Sequence, residues 1–204
     1  LMEAWREFAI SPQQFRQIAT DFALTLEDGL HGRPSPLQML PGFVGRPTGE
    51  ETGRYLALDF GGTNVRVAVV ELCGGGQTRI EKLHKASLRD KAAGYDYTAA
   101  SVQLGELFDF IAKQVALVAE RGGEQLLGHS FSYGGKQTAI GRADFIGWTK
   151  EIKVSGIAGQ DINATLSAAL ARQNLAAVRP VAVLNDTVAT LLTAAYAMPA
   201  ADMG

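Results

Sequence analysis

Residues Leu56 to Val70 read LALDFGGTNVRVAVV, two apolar runs rich in Leu, Val and Ala with a short polar joint between them. Runs of this length and composition suit β-strands, and a Gly-Gly pair followed by Thr and Asn suits a tight turn. A hairpin with two apolar strands must be covered by other layers, so this stretch commits the chain to a sheet with helices packed on it. Strand-like segments at Tyr55–Phe60, Val65–Leu72 and Arg79–Leu88, with Gly74-Gly75-Gly76 as the second turn, predict an antiparallel meander.

The remaining segments supply the cover. Tyr97 to Arg121 has helical periodicity, with Leu104, Leu107, Phe108, Ile111, Val115 and Val118 on one side. Gln125–Tyr133 reads as a strand, and Asp161–Gln173 as a helix with Ile162, Leu166, Ala169 and Leu170 inward. Val181–Leu184 is a short strand running into Asn185-Asp186-Thr187 and a last helix to about Ala197. This order predicts an α/β layered domain. Ahead of it, Ser11-Pro12-Gln13-Gln14 has the form of a capped helix start. Phe15, Ile18, Phe22, Leu26 and Leu30 follow at helical spacing, and the Pro- and Gly-rich segment after Gly32 reads as an extended connection.

Composition narrows the partners. With 204 residues, 47% hydrophobic and a formal net charge of −2, the chain can bury a core and offers no basic face. Nucleic acid and anionic membrane are therefore not expected as partners. The single cysteine, Cys73, forms no internal disulfide and is expected to be a small packing residue in a reducing compartment. No apolar run reaches the ~20 residues that span a bilayer, and LMEAWREF is not read as a signal peptide. A cytoplasmic protein is expected. His31, His84 and His129 have no metal-ligand spacing and receive no role.

The polar joint has its own chemistry. Glycines permit backbone angles closed to other residues and let a ligand approach the chain closely. Backbone N–H groups at Gly61 and Gly62, the Thr63 hydroxyl and the Asn64 amide could converge on a phosphate. Asp59 could hold Mg²⁺ directly or through water, and Arg66 could pair an anion or lock the turn to a neighbouring carboxylate. A plain hairpin turn in which the acid caps local backbone is the alternative.

Two further stretches bear on that choice: LGHSFSYGGKQTAIGRADFIGWTK from Leu127 to Lys150, and VAVLNDTVATLLTAAY from Val181 to Tyr196. With LALDFGGTNVR they resemble, in order and spacing, the phosphate-binding, sugar-binding and catalytic segments of the hexokinase family. FIGWTKEIKVSGIAG, from Phe145 to Gly159, is similar to that family's stretch beside the sugar. The resemblance implies an actin-like ATPase (ribonuclease H-like) lobe, an α/β fold with a mixed sheet flanked by helices. It implies ATP and Mg²⁺ as cofactors and a hexose, glucose or a relative, as the substrate phosphorylated at its 6-hydroxyl. By the same resemblance Asp186 is the catalytic carboxylate. Ser132, Thr149, Lys150 and Asn185 join Asp186 in holding the sugar. Asp59, Gly61, Gly62, Thr63, Asn64 and Arg66 face the phosphates, with Asp59 toward the metal.

The chemistry is compatible with those roles. A carboxylate with an ordinary pKa near ~4 cannot form a free alkoxide. Phosphoryl transfer is largely dissociative, so the base mainly orients the hydroxyl and takes its proton late. Plainer roles stay open at each position: Asn185-Asp186-Thr187 also has the form of an N-cap, Trp148 of a core or wall residue, Lys150 of a solvated charge, and Ser132 could bond nearby backbone.

Departures from the family pattern shape the remaining expectations. Tyr133-Gly134 stands where the family usually has Phe-Pro, which frees the backbone of the sugar loop. No second, GTG-type turn follows the NDT helix before the sequence reaches PAADMG. We therefore expect residues 1–53 to belong with a large lobe absent from this chain, 54–204 to form the small lobe, and the chain alone to be inactive. The apolar stripe of the first helix would then lack its cover, and self-association through it is expected. A catalytically silent hexose sensor of the same fold is the alternative function; a third reading, an actin-like ATPase of other substrate, is disfavoured by the SFS…WTK and NDT segments.

Overall fold

The computed structural model describes residues 9–202 apart from Gln38, Arg121 and Thr149. It divides into two compact units, Leu1–Pro41 and Gly42–Gly204. In the first, helix α1 (Pro12–Leu30) begins as its sequence prescribes. The Ser11 side chain accepts from the Gln14 N–H while the Gln14 side chain accepts from the Ser11 N–H, with Pro12 in the first turn. None of its residues is buried, and Phe15, Ile18 and Phe22 are more than half exposed.

The second unit is built on a five-stranded sheet. Strands β1 (Thr52–Phe60), β2 (Asn64–Gly74) and β3 (Gln77–Ser87) form the antiparallel meander. Strands β6 (Gln125–Phe131) and β9 (Val178–Leu184) add on the other side of β1, both parallel to it. The sheet is therefore mixed. Helices α2 (Leu104–Ala116) and α3 (Ile162–Arg172) pack together over one face. Leu107, Phe108, Ile111, Val115, Leu166 and Leu170 meet Leu56, Leu58, Phe60, Val65, Val67, Leu127 and Phe131 there, all fully or almost fully buried. Burying each such side chain is worth about 1.5–3 kcal/mol, which makes this layer the main source of stability. Helix α4 (Asp186–Ala197) lies on the opposite face, against β6.

Four expectations are corrected. The helix expected from Tyr97 starts only at Leu104. Tyr95–Asp96 (β5) pairs instead with Arg89–Asp90 (β4), the Asp96 carboxylate accepts from the Thr98 backbone and hydroxyl, and Glu106 accepts from the Gln103 N–H where the helix begins. The last strand runs back through Pro180 to Val178, which an edge strand tolerates. Cys73 is exposed rather than packed, on the outermost rungs of the β1–β2 ladder opposite Thr52.

The fourth correction concerns Tyr133-Gly134-Gly135. Gly134–Ala139 (β7) and Arg142–Gly147 (β8) form a hairpin with Gly134 opposite Gly147. Neither Gly134 nor Gly135 takes a positive φ, so the conformational freedom expected there is not used. What glycine supplies is space: a Cβ on Gly135 would come within 3.2 Å of the Ile162 side chain. The hairpin is tied to β9 by the Val183 N–H on the Ile140 carbonyl and the Gln137 amide on the Val183 carbonyl.

Candidate active site

Because β1, β6 and β9 are parallel, their carboxyl ends lie along one edge of the sheet, the edge where open α/β sheets bind ligands. One row of polar residues meets there. Asp59 stands opposite Arg66 on β2 and Ser130 on β6, and Ser130 stands opposite Leu184 on β9. Leu184 leads through Asn185 into α4. Leu58, Phe60, His129 and Phe131 are buried, so strand alternation turns Asp59 and Ser130 toward the other face, the side of α4.

A cleft of about 510 Å³ opens on that side, lined by Asp59, Ser130, Asp186, Ala189, Thr190, Thr193 and Ala194. Two carboxylates 127 positions apart in the chain thus share one cleft. Small side chains on α4 keep it open. The sequence does not single out Ser130; its one local signal is its place two residues before Ser132.

The turn after Asp59 is compact. The Gly61 N–H donates to the Asn64 carbonyl at 3.0 Å, the Leu88 N–H donates to the Thr63 carbonyl at 2.9 Å, and the Asn64 amide donates to the Thr63 hydroxyl at 2.7 Å. Neither Gly61 nor Gly62 has a positive φ. Close approach is the reason for glycine here: a Cβ on Gly62 would sit 3.0 Å from Cδ of Lys150. Arg66 reaches back to Asp59, Nη1 to Oδ2 at 2.6 Å, which realises the carboxylate-locking role expected for it. Both side chains are well exposed, so the pair is worth about 0–1 kcal/mol and is readily exchanged for a ligand oxygen.

The residues expected on the sugar side divide. Asp186 is half-buried in the first turn of α4, where the positive end of the helix dipole favours a carboxylate, and it lines the cleft. Asn185 is the N-cap: its Oδ1 accepts from the Thr187 N–H at 3.0 Å and from the Thr187 hydroxyl. That leaves its two amide hydrogens for other partners. Ser132 is buried, its N–H on the Phe60 carbonyl at 3.2 Å, continuing the β1–β6 ladder past the strand ends. Lys150 lies against the glycine turn at Gly62, with Nζ 5.4 Å from the centre of the Tyr133 ring. Thr149 lies outside the described residues. Trp148 is a wall residue, its indole N–H on the Val154 carbonyl at 2.8 Å and its ring against Phe60, Tyr133 and Phe145.

Among the described residues no three His, Cys, Asp or Glu side chains gather as a metal cluster. Mg²⁺ delivered with a polyphosphate needs only one or two protein carboxylates and keeps several waters. Asp59, half-exposed at the mouth of the glycine turn, is the residue that would hold it.

Residues 1–196 match the family model described as Hexokinase. The chain belongs to the hexokinase family. It is 34% identical to Hexokinase-1 of Schizosaccharomyces pombe over 211 aligned positions, covering 100% of this chain and 42% of that protein. It is 37% identical to Hexokinase-2 of Candida albicans, covering 97% of this chain and 40% of the relative. A crystal structure of hexokinase superposes with a TM-score of 0.80 at 32% identity, over 93% of this chain and 45% of that one. The hexokinase from Schistosoma mansoni complexed with glucose superposes with a TM-score of 0.76 at 30% identity, over 95% of this chain and 44% of the other. The fold is thus the actin-like ATPase fold of the hexokinases, and the chain spans about two fifths of the length of these relatives.

Proposed function

We propose that this hexokinase-family chain supplies the phosphate turn and the catalytic carboxylate of an ATP-dependent hexokinase. The full-length protein would transfer the γ-phosphoryl group of ATP to the 6-hydroxyl of glucose or a related hexose. The observation that carries the reading is the shared cleft of Asp59 and Asp186 at the carboxyl ends of β1 and β9.

In this reading Asp186 accepts a hydrogen bond from the 6-hydroxyl, orients it in line with the γ-phosphorus and takes its proton as the bond to phosphorus forms. Asn185, with amide hydrogens to spare beyond its capping role, holds a neighbouring hydroxyl together with Ser132, Thr149 and Lys150. A site that pairs hydroxyls rejects analogues lacking them, since its own groups would be left unpaired. The Gly62 N–H, with Thr63, Asn64 and Arg66, holds phosphate oxygens, while Gly61, its own N–H closed on the Asn64 carbonyl, shapes the turn. Mg²⁺, when bound through Asp59, supplies charge neutralisation on the phosphates.

Residues 1–53 would pack with a large lobe outside this chain, and 54–204 would be the small lobe. A cytoplasmic location is supported by the single, free Cys73. Among the described residues no helix is long and apolar enough to cross a membrane. The exposed stripe of α1 would drive self-association of the chain alone, which light scattering at rising concentration tests. Hexose-dependent ADP release by the full-length protein, absent from residues 1–204 alone, is the test of the function. A full-length protein that binds glucose and releases no ADP would overturn it.

A further inference from the structure

Tyr133 stands where the phosphate turn and the hexose-side segment meet. Its phenolic O–H donates to the Gly61 carbonyl at 2.9 Å. Its ring packs edge-on against Phe60 and Trp148, with centroid distances of 5.4 and 4.8 Å, and carries Lys150 Nζ over it at 5.4 Å. The Lys150 stem in turn lies against Gly62. One buried side chain from the loop after β6 therefore grips both the turn backbone and the cation bordering it.

The consequence follows from peptide geometry. The Gly61 carbonyl and the Gly62 N–H belong to one planar trans peptide and point in opposite directions. Holding the carbonyl toward Tyr133 aims the Gly62 N–H away from the protein brace. The Gly61 N–H is itself fixed on the Asn64 carbonyl, so the turn is held at both of the Gly61 polar groups. Burial pushes the Tyr133 phenol well above its usual range, which keeps it a protonated donor at every working pH.

We propose that Tyr133 is a positioning residue that presets the glycine turn for phosphate and links it, through Lys150 and Trp148, to the hexose-side segment. The inference rests on the hexokinase reading of the site. A phenylalanine here would keep the packing and lose the grip on the Gly61 carbonyl.

The test is steady-state kinetics of the full-length protein with MgATP and glucose varied separately. Tyr133→Phe should raise KM for MgATP about 3- to 10-fold, the range for one neutral hydrogen bond, and leave KM for glucose within about twofold. Its thermal midpoint should stay within a few degrees. Tyr133→Leu, which also removes the seat of Lys150, should raise KM for MgATP further. An unchanged KM for MgATP in Tyr133→Phe, or equal rises in both KM values tracking a lowered thermal midpoint, would overturn the positioning role. A wild-type protein without hexose-dependent ATP consumption would remove the reading of the site and the positioning role together.

Discussion

Arg66 donates to Asp59 across the β1–β2 ladder, Nη1 to Oδ2 at 2.6 Å, directly beside the glycine turn. Each charge neutralises the other, and in the proposed function the pair would offer its cation to phosphate and its carboxylate to metal. Arg66→Ala should lower kcat/KM for MgATP about 10- to 100-fold, the loss of a charge-assisted hydrogen bond, with glucose binding retained. Kinetics with MgATP varied at saturating glucose measure it; a change under threefold would take Arg66 off the phosphates.

Asp186 lines the cleft from the first turn of α4, whose cap is Asn185, not Asp186 itself. Asp186→Asn should therefore fold as the parent does and lose about 10²–10⁴ in kcat, the usual worth of a positioned base. Rapid-quench or coupled-assay kinetics on the full-length protein, beside its melting curve, decide this. Retention of most of the activity would remove the base assignment.

Asn185 caps α4 and, in the proposed function, also binds the hexose, and the two roles can be separated. Asp caps as well as Asn, so Asn185→Asp should leave stability unchanged while removing both amide donors. We expect a roughly tenfold loss in kcat/KM for glucose with the thermal midpoint preserved, about the worth of one hydrogen bond to a substrate hydroxyl. Asn185→Ala should in addition cost about 1 kcal/mol of stability, read from denaturant unfolding.

His129 is buried in β6, with Nδ1 3.3 Å from the Asn163 Oδ1, and its Nε2 has no partner among the described residues. Burial pushes its pKa down from 6.5 to about 4, against the opposing pull of Asn163. Between those values the unfolded chain binds the proton and the folded one does not, so stability rises with pH across that window and falls on acidification. Full loss below it amounts to about 3 kcal/mol. His129→Phe should flatten the dependence of the denaturation midpoint between pH 4 and 6.5; an unchanged slope would count against His129 as its source.

Much of the outline could be read from local signals. The Ser11-Gln14 box starts α1 where the sequence places it, because a capping box is satisfied within four residues. The glycine turns between β1, β2 and β3 fixed an antiparallel meander, since hairpin pairing is set by the turn itself. The β7–β8 hairpin was not legible: GGKQTA carries little apolar alternation, and what holds it is the burial of Ala143 and Phe145 together with bonds to Val183 of β9, about forty residues further along the chain. The late helix start at Leu104 had local signals in the Asp96–Thr98 pair and the Gln103–Glu106 box, whereas the small β4–β5 pair carries no hydrophobic alternation to announce it.

The sequence by itself determined the layer architecture, the identity of the glycine turn and the carboxylate at the start of the last helix. Each of these depends on residue type and short-range spacing. Only the tertiary structure decided that Asp59, Ser130 and Asp186 face one cleft, that Lys150 sits against Gly62, and that Tyr133 grips the Gly61 carbonyl. The physical reason is the parallel pairing of β6 with β1 on one side and with β9 on the other. It is a long-range choice made by the helical layer behind the sheet, and it brings three strand ends to the same edge.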